Sequence, residues 1–358
     1  MQPVCSLVYS LGIASEFAGK RVGATRIYSR LFLISYLSRL LVYSSTRLLV
    51  YSSTRLLVYL STHMIFLPEH LPAAAELRAA GFDVADYPSC QVPAAGQERA
   101  RRVLLLNLMP QKLVTELDIA RTLAETGQAV RLTLVRLPGQ TFKTTPMEHI
   151  LQFYRELTPE MLAEADGLIV TGAPLENIAF EEVRYWQLLE QAMDEAAARR
   201  LPVLYICWAA QAALYHFYKI PKHPLPSKMF GVFKQKVLQP ESAAMKGLAP
   251  AFPMPNSRHT EVRRKDFPAD SGLQILCESE ESGIGAAFSE KNNATFIVGH
   301  LEYEPFTLHN EYLRDLAKGL PIQPPLHYYI GAPEAGRPDY TWHAAAVRFY
   351  ANWLDACR

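Results

Sequence analysis

Cysteines at metal-binding spacing are missing from this sequence. Its five cysteines (Cys5, Cys90, Cys207, Cys277 and Cys357) are scattered, odd in number and never form Cys-x-x-Cys. That pattern argues against a structural zinc and against a disulfide framework, and points to free thiols in a reducing, cytoplasmic compartment. Charge of one sign is also lacking: 36 Lys and Arg stand against 35 Asp and Glu, a net charge of +1. A nucleic-acid footprint is therefore not expected. No apolar run free of charges reaches the roughly 20 residues that span a bilayer, so no membrane partner is expected. Apolar residues make up 49% of the chain, ample for a sizeable core.

Acidic residues are nearly absent from the first 63 positions, where only Glu16 occurs. There Arg39-Leu-Leu-Val-Tyr-Ser-Ser-Thr repeats from Arg47 and nearly again from Arg55. A period of eight fits neither a solenoid nor a helix nor a heptad. The expectation is that residues 1–63 are a repeat-containing extension outside the fold. A translated tandem repeat ahead of a true start at Met64 explains it best, with an Arg- and Ser-rich transit peptide second and a membrane anchor, whose apolar run arginines interrupt, third. Residues 64–358 then form a single domain.

From Met64 onward strand and helix patterns alternate. Val103–Leu108 is an apolar run broken only by Asn107, as in a buried parallel strand. Lys112–Ala124 follows with apolar residues at helical spacing. Further strands are expected at Val130–Val135, Gly167–Val170 and before Cys207, with helices over Glu148–Tyr154, Glu181–Arg199 and Trp208–Tyr218. After a Pro-rich stretch come strands at Gly231–Val237, Leu273–Cys277, Gly285–Ser289 and Ala294–Val298. Helices over Thr307–Lys318 and Thr341–Leu354 close the chain. The fold class is α/β, a mostly parallel sheet with helices on both faces. Ligands in such sheets bind at the carboxyl ends of the strands.

Two positions there carry chemistry. Cys207 follows the strand Val203-Leu-Tyr-Ile and opens a helix, whose N-terminus favours thiolate. His300 and Glu302 follow the strand Thr295-Phe-Ile-Val, an imidazole with a carboxylate two residues on. Together they suggest acyl transfer through a thioester. Each has a bland reading: a buried small apolar cysteine, a core histidine, a solvated acid. The amide of Trp208 and the turn after Gly172 are candidate oxyanion donors. Lys112, Lys228 and Arg314 are candidate anion binders.

Seven segments in unbroken order then carry a resemblance. They are Leu106-Asn-Leu-Met-Pro-Gln-Lys112; Thr145-Pro-Met-Glu-His149 with Phe153-Tyr154; Gly167-Leu-Ile-Val-Thr-Gly-Ala-Pro174 with Phe180-Glu-Glu-Val-Arg-Tyr-Trp186; Cys207-Trp-Ala-Ala-Gln-Ala-Ala-Leu214 with Tyr218-Lys-Ile-Pro-Lys222; Asn256-Ser-Arg-His259; Gly299-His-Leu-Glu-Tyr303; and Tyr312-Leu-Arg-Asp315. From about Met64 to the C-terminus the chain resembles the homoserine O-succinyltransferase and O-acetyltransferase family of methionine biosynthesis. The resemblance implies a class I glutamine amidotransferase-like fold, usually a homodimer. It implies Cys207 as acyl acceptor, His300 as proton carrier and Glu302 as its partner, with no cofactor beyond the acyl-CoA co-substrate. Lys228, Ser257 and Arg314 match substrate-binding positions, and Glu311, Lys112 and Trp208 match active-site ones less securely. Two residues after Thr-Gly-Ala-Pro, succinyl-CoA users resemble one another in a glycine and acetyl-CoA users in a glutamate; here stands Glu176. The donor expected is therefore acetyl-CoA, with succinyl-CoA the alternative. Departures include His-Leu-Glu for the more usual His-Pro-Glu, and alanines at 209 and 210 after the Cys-Trp pair. They leave L-serine open as acceptor beside L-homoserine. A glutaminase and a catalytically inactive binding relative are the other readings.

Overall fold

The computed structural model describes residues 64–88 and 100–357. The expected extension over 1–63, with Cys5, and the Cys90 segment lie outside the described residues. The chain runs β1 (Met64–Pro68), α1 (Pro72–Ala79), β2 (Asp83–Tyr87), β3 (Arg101–Leu106), α2 (Lys112–Glu125), β4 (Val130–Arg136), α3 (Met147–Phe153), the two-residue β5 (Arg155–Glu156), α4 (Pro159–Glu164), β6 (Gly167–Val170) and α5 (Trp186–Ala198). It continues with β7 (Val203–Ile206), α6 (Trp208–Tyr218), β8 (His223–Val237), β9 (Ala251–Glu261), β10 (Leu273–Ser279), β11 (Gly283–Ser289), β12 (Ala294–Ile297), α7 (Thr307–Ala317) and α8 (His343–Ala356).

One sheet of 12 strands holds them in the order β2-β1-β4-β3-β6-β7-β12-β11-β10-β8-β9, with β5 beside β4. From β2 to β12 every neighbour is parallel. From β12 to β9 every neighbour is antiparallel. The switch follows the connections: helices return the chain in the first part, and tight turns return it from β10 onward.

Alternation along the central strands separates two apolar layers. Val103 and Leu105 of β3 pack on one face with α1, α2 and α8. Leu104 and Leu106 pack on the other with α5 and α6. Both faces are thus covered, which is why these strands read as unbroken apolar runs. Local chemistry sets several ends. Thr158 accepts the Met161 N–H at 3.3 Å to cap α4, with Pro159 in its first turn. Lys219 takes left-handed dihedrals (φ 58°, ψ 26°) and closes α6.

The sequence reading places no element at β1, α1, β2, α4 or β9, and two further elements differ from it. The helix expected from Glu181 begins at Trp186. Phe180–Glu182 forms a single 3-10 turn and Val183 is extended. Phe180 is buried and stacks on Trp186 at 5.4 Å, and seating that ring breaks the helix. Strand β8 begins at His223, inside the stretch expected to be loop. Its pairing with β9 shifts register between Pro224 and Met229, and this irregularity accommodates Pro224 and Pro226, which have no N–H to donate.

Gly299 links β12 to the residues that follow it. A Cβ there would stand 2.6 Å from the Pro255 carbonyl oxygen and 3.0 Å from Met254. The next residue, His300, donates its N–H to that same oxygen at 2.8 Å. Gly299→Ala should therefore lower stability by about 1–3 kcal/mol, the usual cost of overpacking. Thermal unfolding checks this, and a melting temperature equal to that of the parent would refute it.

Candidate active site

Cys207 sits between the end of β7 and the start of α6, with φ 53° and ψ −114°. Side chains other than glycine rarely adopt such dihedrals, at a cost of about 1–3 kcal/mol. Neighbours hold it there. Its N–H donates to the Ile297 carbonyl at 2.7 Å, and its own carbonyl accepts the Gln211 N–H at 3.2 Å. A Cβ on Gly172 would come within 3.1 Å of the Cys207 Cβ, so the turn after β6 closes onto the cysteine only because residue 172 has none. The Trp208 amide is among the first four of α6, which have no acceptor within the helix. Those amides and the helix dipole favour negative charge at the sulfur.

His300 and Glu302 are 3% and 5% exposed. His300 Nδ1 lies 2.7 Å from Glu302 Oε1. Cys207 is the other group that acts on the imidazole. Burial opposes the imidazolium, but the Cys207 and Glu302 charges and hydrogen bonds outweigh it and hold the His300 pKa well above its ordinary value. Tyr303 stacks flat beneath the ring, centroids 4.1 Å apart at 15°.

Behind this pair lies a group that sequence reasoning missed. Asp118 on α2 is 4% exposed, and burial followed by the Glu302 and Glu304 charges raises its pKa well above the carboxylate range. Arg258 was missed as well. It is 1% exposed and donates to Asn256 Oδ1 at 3.1 Å, the Thr260 carbonyl at 2.6 Å and the Ser282 carbonyl at 2.5 Å. Burial lowers its pKa to about 10, with the Cys207 charge working against the shift, so a guanidinium stands close to the sulfur. Its place in Asn256-Ser-Arg-His259 was the one signal available.

Lys228, Ser257, Glu311 and Arg314 do come together, joined by Asp315 and Tyr303. Ser257 donates to Glu311 Oε2 at 2.6 Å, and Tyr303 donates to Oε1 at 3.1 Å. Lys228 Nζ lies 3.4 Å from Glu311 and 3.3 Å from Asp315, and Arg314 Nε lies 2.8 Å from Asp315. Through Tyr303 this mixed-charge cluster adjoins His300. It presents cations and anions side by side, as a zwitterion requires.

Lys112 and Glu176 are placed differently. Lys112 is 2% exposed and its Nζ donates to the Asn107 carbonyl at 2.5 Å and the Met109 carbonyl at 3.3 Å. Burial lowers its pKa to about 8 despite Glu116 nearby. It braces the turn after β3 rather than standing as a surface cation. That turn also explains the Thr145–His149 motif. His149 Nε2 lies 3.0 Å from Glu116, Tyr154 donates to Glu116 at 2.5 Å, and Asn107 donates to Tyr154 at 3.0 Å. Thr171, next to Gly172, accepts the Leu108 N–H at 2.8 Å. Glu176 is half-buried on the turn beyond Pro174, beside Lys222, which itself holds the Leu175 and Ile178 carbonyls. Trp208 is fully buried under Phe180, and its contribution to the site is its backbone. Among the described residues, no three His, Cys, Asp or Glu side chains are grouped to hold a metal ion. Nor is any described helix long and apolar enough to cross a membrane.

A parallel sheet with a cysteine elbow after one strand and His-x-Glu after its neighbour is the class I glutamine amidotransferase-like arrangement. A solved glutamine amidotransferase from Thermotoga maritima shares the fold with a TM-score of 0.50 at 13% identity, covering 72% of this chain and 98% of that one. A model of the homoserine O-succinyltransferase family matches residues 64–358. The homoserine O-acetyltransferase of Parabacteroides distasonis is 44% identical over 290 residues, 81% of this chain and 92% of its own. That of Bacteroides thetaiotaomicron is 41% identical, with 81% and 94% covered. That of Acetivibrio thermocellus is 39% identical over 292 residues, again with 81% and 94% covered. The chain belongs to the homoserine O-succinyltransferase family.

Thiol reactivity tests the electrostatics directly. Burial pushes the Cys277 thiol up to about 12 and raises that of Cys357 as well. Iodoacetamide at neutral pH should modify Cys207 ahead of both, and His300→Ala should slow that reaction by roughly tenfold or more. Peptide mapping by mass spectrometry reads both outcomes; equal labelling of Cys207 and Cys277 would refute the thiolate assignment.

Proposed function

We propose that this chain is a homoserine O-acetyltransferase of methionine biosynthesis, working through an acetyl-cysteine intermediate. The observation that carries this reading is the strained Cys207 held against the His300–Glu302 pair. The Cys207 thiolate attacks the acetyl carbonyl of acetyl-CoA, and negative charge builds on the carbonyl oxygen. The Trp208 N–H and the turn after Gly172 receive that charge. The intermediate then collapses: the bond to the coenzyme sulfur breaks, and His300 gives its proton to the departing thiolate. Acetylation removes the sulfur charge that had helped to raise the His300 pKa. The imidazole is therefore held less firmly in its protonated form, and a neutral ring is available when a base is needed. It takes the proton of the homoserine γ-hydroxyl as that oxygen attacks the thioester, and collapse returns the Cys207 thiolate with O-acetylhomoserine. Free coenzyme leaves before the acceptor reacts, so the kinetics are ping-pong.

In the acceptor site, Arg314 and Lys228 take the amino-acid carboxylate. Glu311 and Asp315 take the ammonium, and Ser257 and Tyr303 orient Glu311. A planar guanidinium suits the carboxylate. The donor preference rests on the acetyltransferases at 39–44% identity and on Glu176. Its carboxylate fills space beyond Pro174 and repels the free carboxylate of a succinyl group, by several kcal/mol where water is scarce. Lys222 shares that carboxylate, so bulk and charge both contribute. Leu313, Leu316 and Leu320 are exposed on α7 and just beyond it, and would be covered in a homodimer.

Intact-mass measurement after acetyl-CoA treatment should show one added acetyl group that Cys207→Ala cannot carry; a parent enzyme that gains none while still making product would end the covalent reading. Glu302→Gln should lower kcat by roughly 100-fold or more, because the imidazole loses the anion that orients it and stabilises its charge. Steady-state rates with acetyl-CoA and succinyl-CoA, each with homoserine and with serine, test both substrates. Glu176→Gly should shift the ratio toward succinyl-CoA by about tenfold or more; an unchanged ratio removes Glu176 from donor selection.

A further inference from the structure

A cavity of about 650 Å³ lies between residues 138–145, which follow β4, and residues 173–188, which follow β6. That volume is typical of small-molecule sites. Its inner wall includes Leu108, Ala173 and Pro174. Ala173 directly follows Gly172, the residue pressed against Cys207. Phe142, Leu175 and Leu188 give the cavity an apolar side. Lys143 and Arg184 also line it, both exposed, and neither makes an ion pair among the described residues. None of the acceptor cluster (Lys228, Ser257, Glu311, Arg314) lines this space.

We infer that this cavity receives the pantetheine arm of the acyl-CoA donor, with Lys143 and Arg184 taking its phosphates. The inference rests on the acyltransferase reading above and assigns the donor its place within that site. A long, mostly apolar arm ending in phosphates needs three things. It needs a reacting end beside the sulfur, apolar walls along its length and unpaired cations at the rim. The cavity supplies apolar walls and the two cations, and Ala173 in its lining is one residue from the glycine pressed against Cys207. The acceptor cluster adjoins His300 through Tyr303 and shares no lining residue with the cavity. The two substrates then approach the sulfur by separate routes and meet only at the transferred carbonyl. Two cations that had been neutralised by nearby carboxylates would serve a phosphate poorly; these two are left free for one.

The test is the double variant Lys143→Glu/Arg184→Glu, at two exposed positions outside the catalytic cluster, assayed with acetyl-CoA and with acetyl-pantetheine, which lacks the nucleotide phosphates. The KM for acetyl-CoA should rise by about tenfold or more and lose much of its dependence on salt. The KM for acetyl-pantetheine, the KM for homoserine and kcat should stay at parental values. Leu188→Trp, which narrows the cavity, should raise KM for both donors. An unchanged KM for acetyl-CoA in the double variant would overturn the inference, and so would an equal rise with both donors. If the parent protein turns over no acyl-CoA at all, the acyltransferase reading fails on its own. Calorimetry with free coenzyme A then still decides the location: binding that the double variant loses supports it, and equal affinity in both proteins overturns it.

Discussion

The pairing of β7 with β12 is the constraint on which the active site depends. These strands are far apart in sequence yet lie parallel and in register from Val203 opposite Ala294 to Ile206 opposite Ile297. The ladder ends with the Cys207 N–H on the Ile297 carbonyl. Cys207 is thus fixed by the neighbouring strand before its own helix begins. Three residues further along that neighbour stands His300, pinned by its amide to Pro255. Sulfur and imidazole meet because two backbones run side by side and stop together. The strained dihedrals of Cys207 cost a few kcal/mol at most, and the burial of α6 from Trp208 to Leu214 repays this several times over.

The charges around the sulfur form a graded set. Cys207 and Glu302 raise the His300 pKa, and Cys207 works against the burial that lowers that of Arg258. Asp118 lies behind Glu302 with its pKa pushed upward, which favours its neutral form there. The acceptor cluster has Lys228 and Arg314 compensating Glu311 and Asp315.

Much of this was legible from residues alone. Cys207 and His300 announce themselves because each follows a short apolar run and precedes a change of periodicity, the pattern of a side chain delivered at a strand end. The parallel half of the sheet was readable for the same reason. The structure also brings Ser257 and Glu311, known only from the resemblance, into direct contact. Other features were hidden for physical reasons. Glu181 and Glu182 look like an acidic first turn, but the preference of Phe180 for Trp186 is a tertiary fact. Proline usually argues against a strand, and the irregularity that accommodates Pro224 and Pro226 depends on the register with β9. Asp118, Glu116 and Arg258 are ordinary charged letters in the sequence. Their burial follows from partners distant along the chain, such as Tyr154 for Glu116 and Ser282 for Arg258.

The late position of β12 also bears on how the protein is made. A growing polypeptide that has cleared the ribosome only as far as α6 holds the cysteine and has β6 on one side of β7, but nothing to place on the other. Its Val203-Leu-Tyr-Ile edge then offers unsatisfied amides and apolar side chains to any other strand nearby. Synthesis of the antiparallel segments fills that gap from the far side and brings His300 to the end of the same ladder. The pairing that closes the open edge is therefore also the step that assembles the Cys207 and His300 pair.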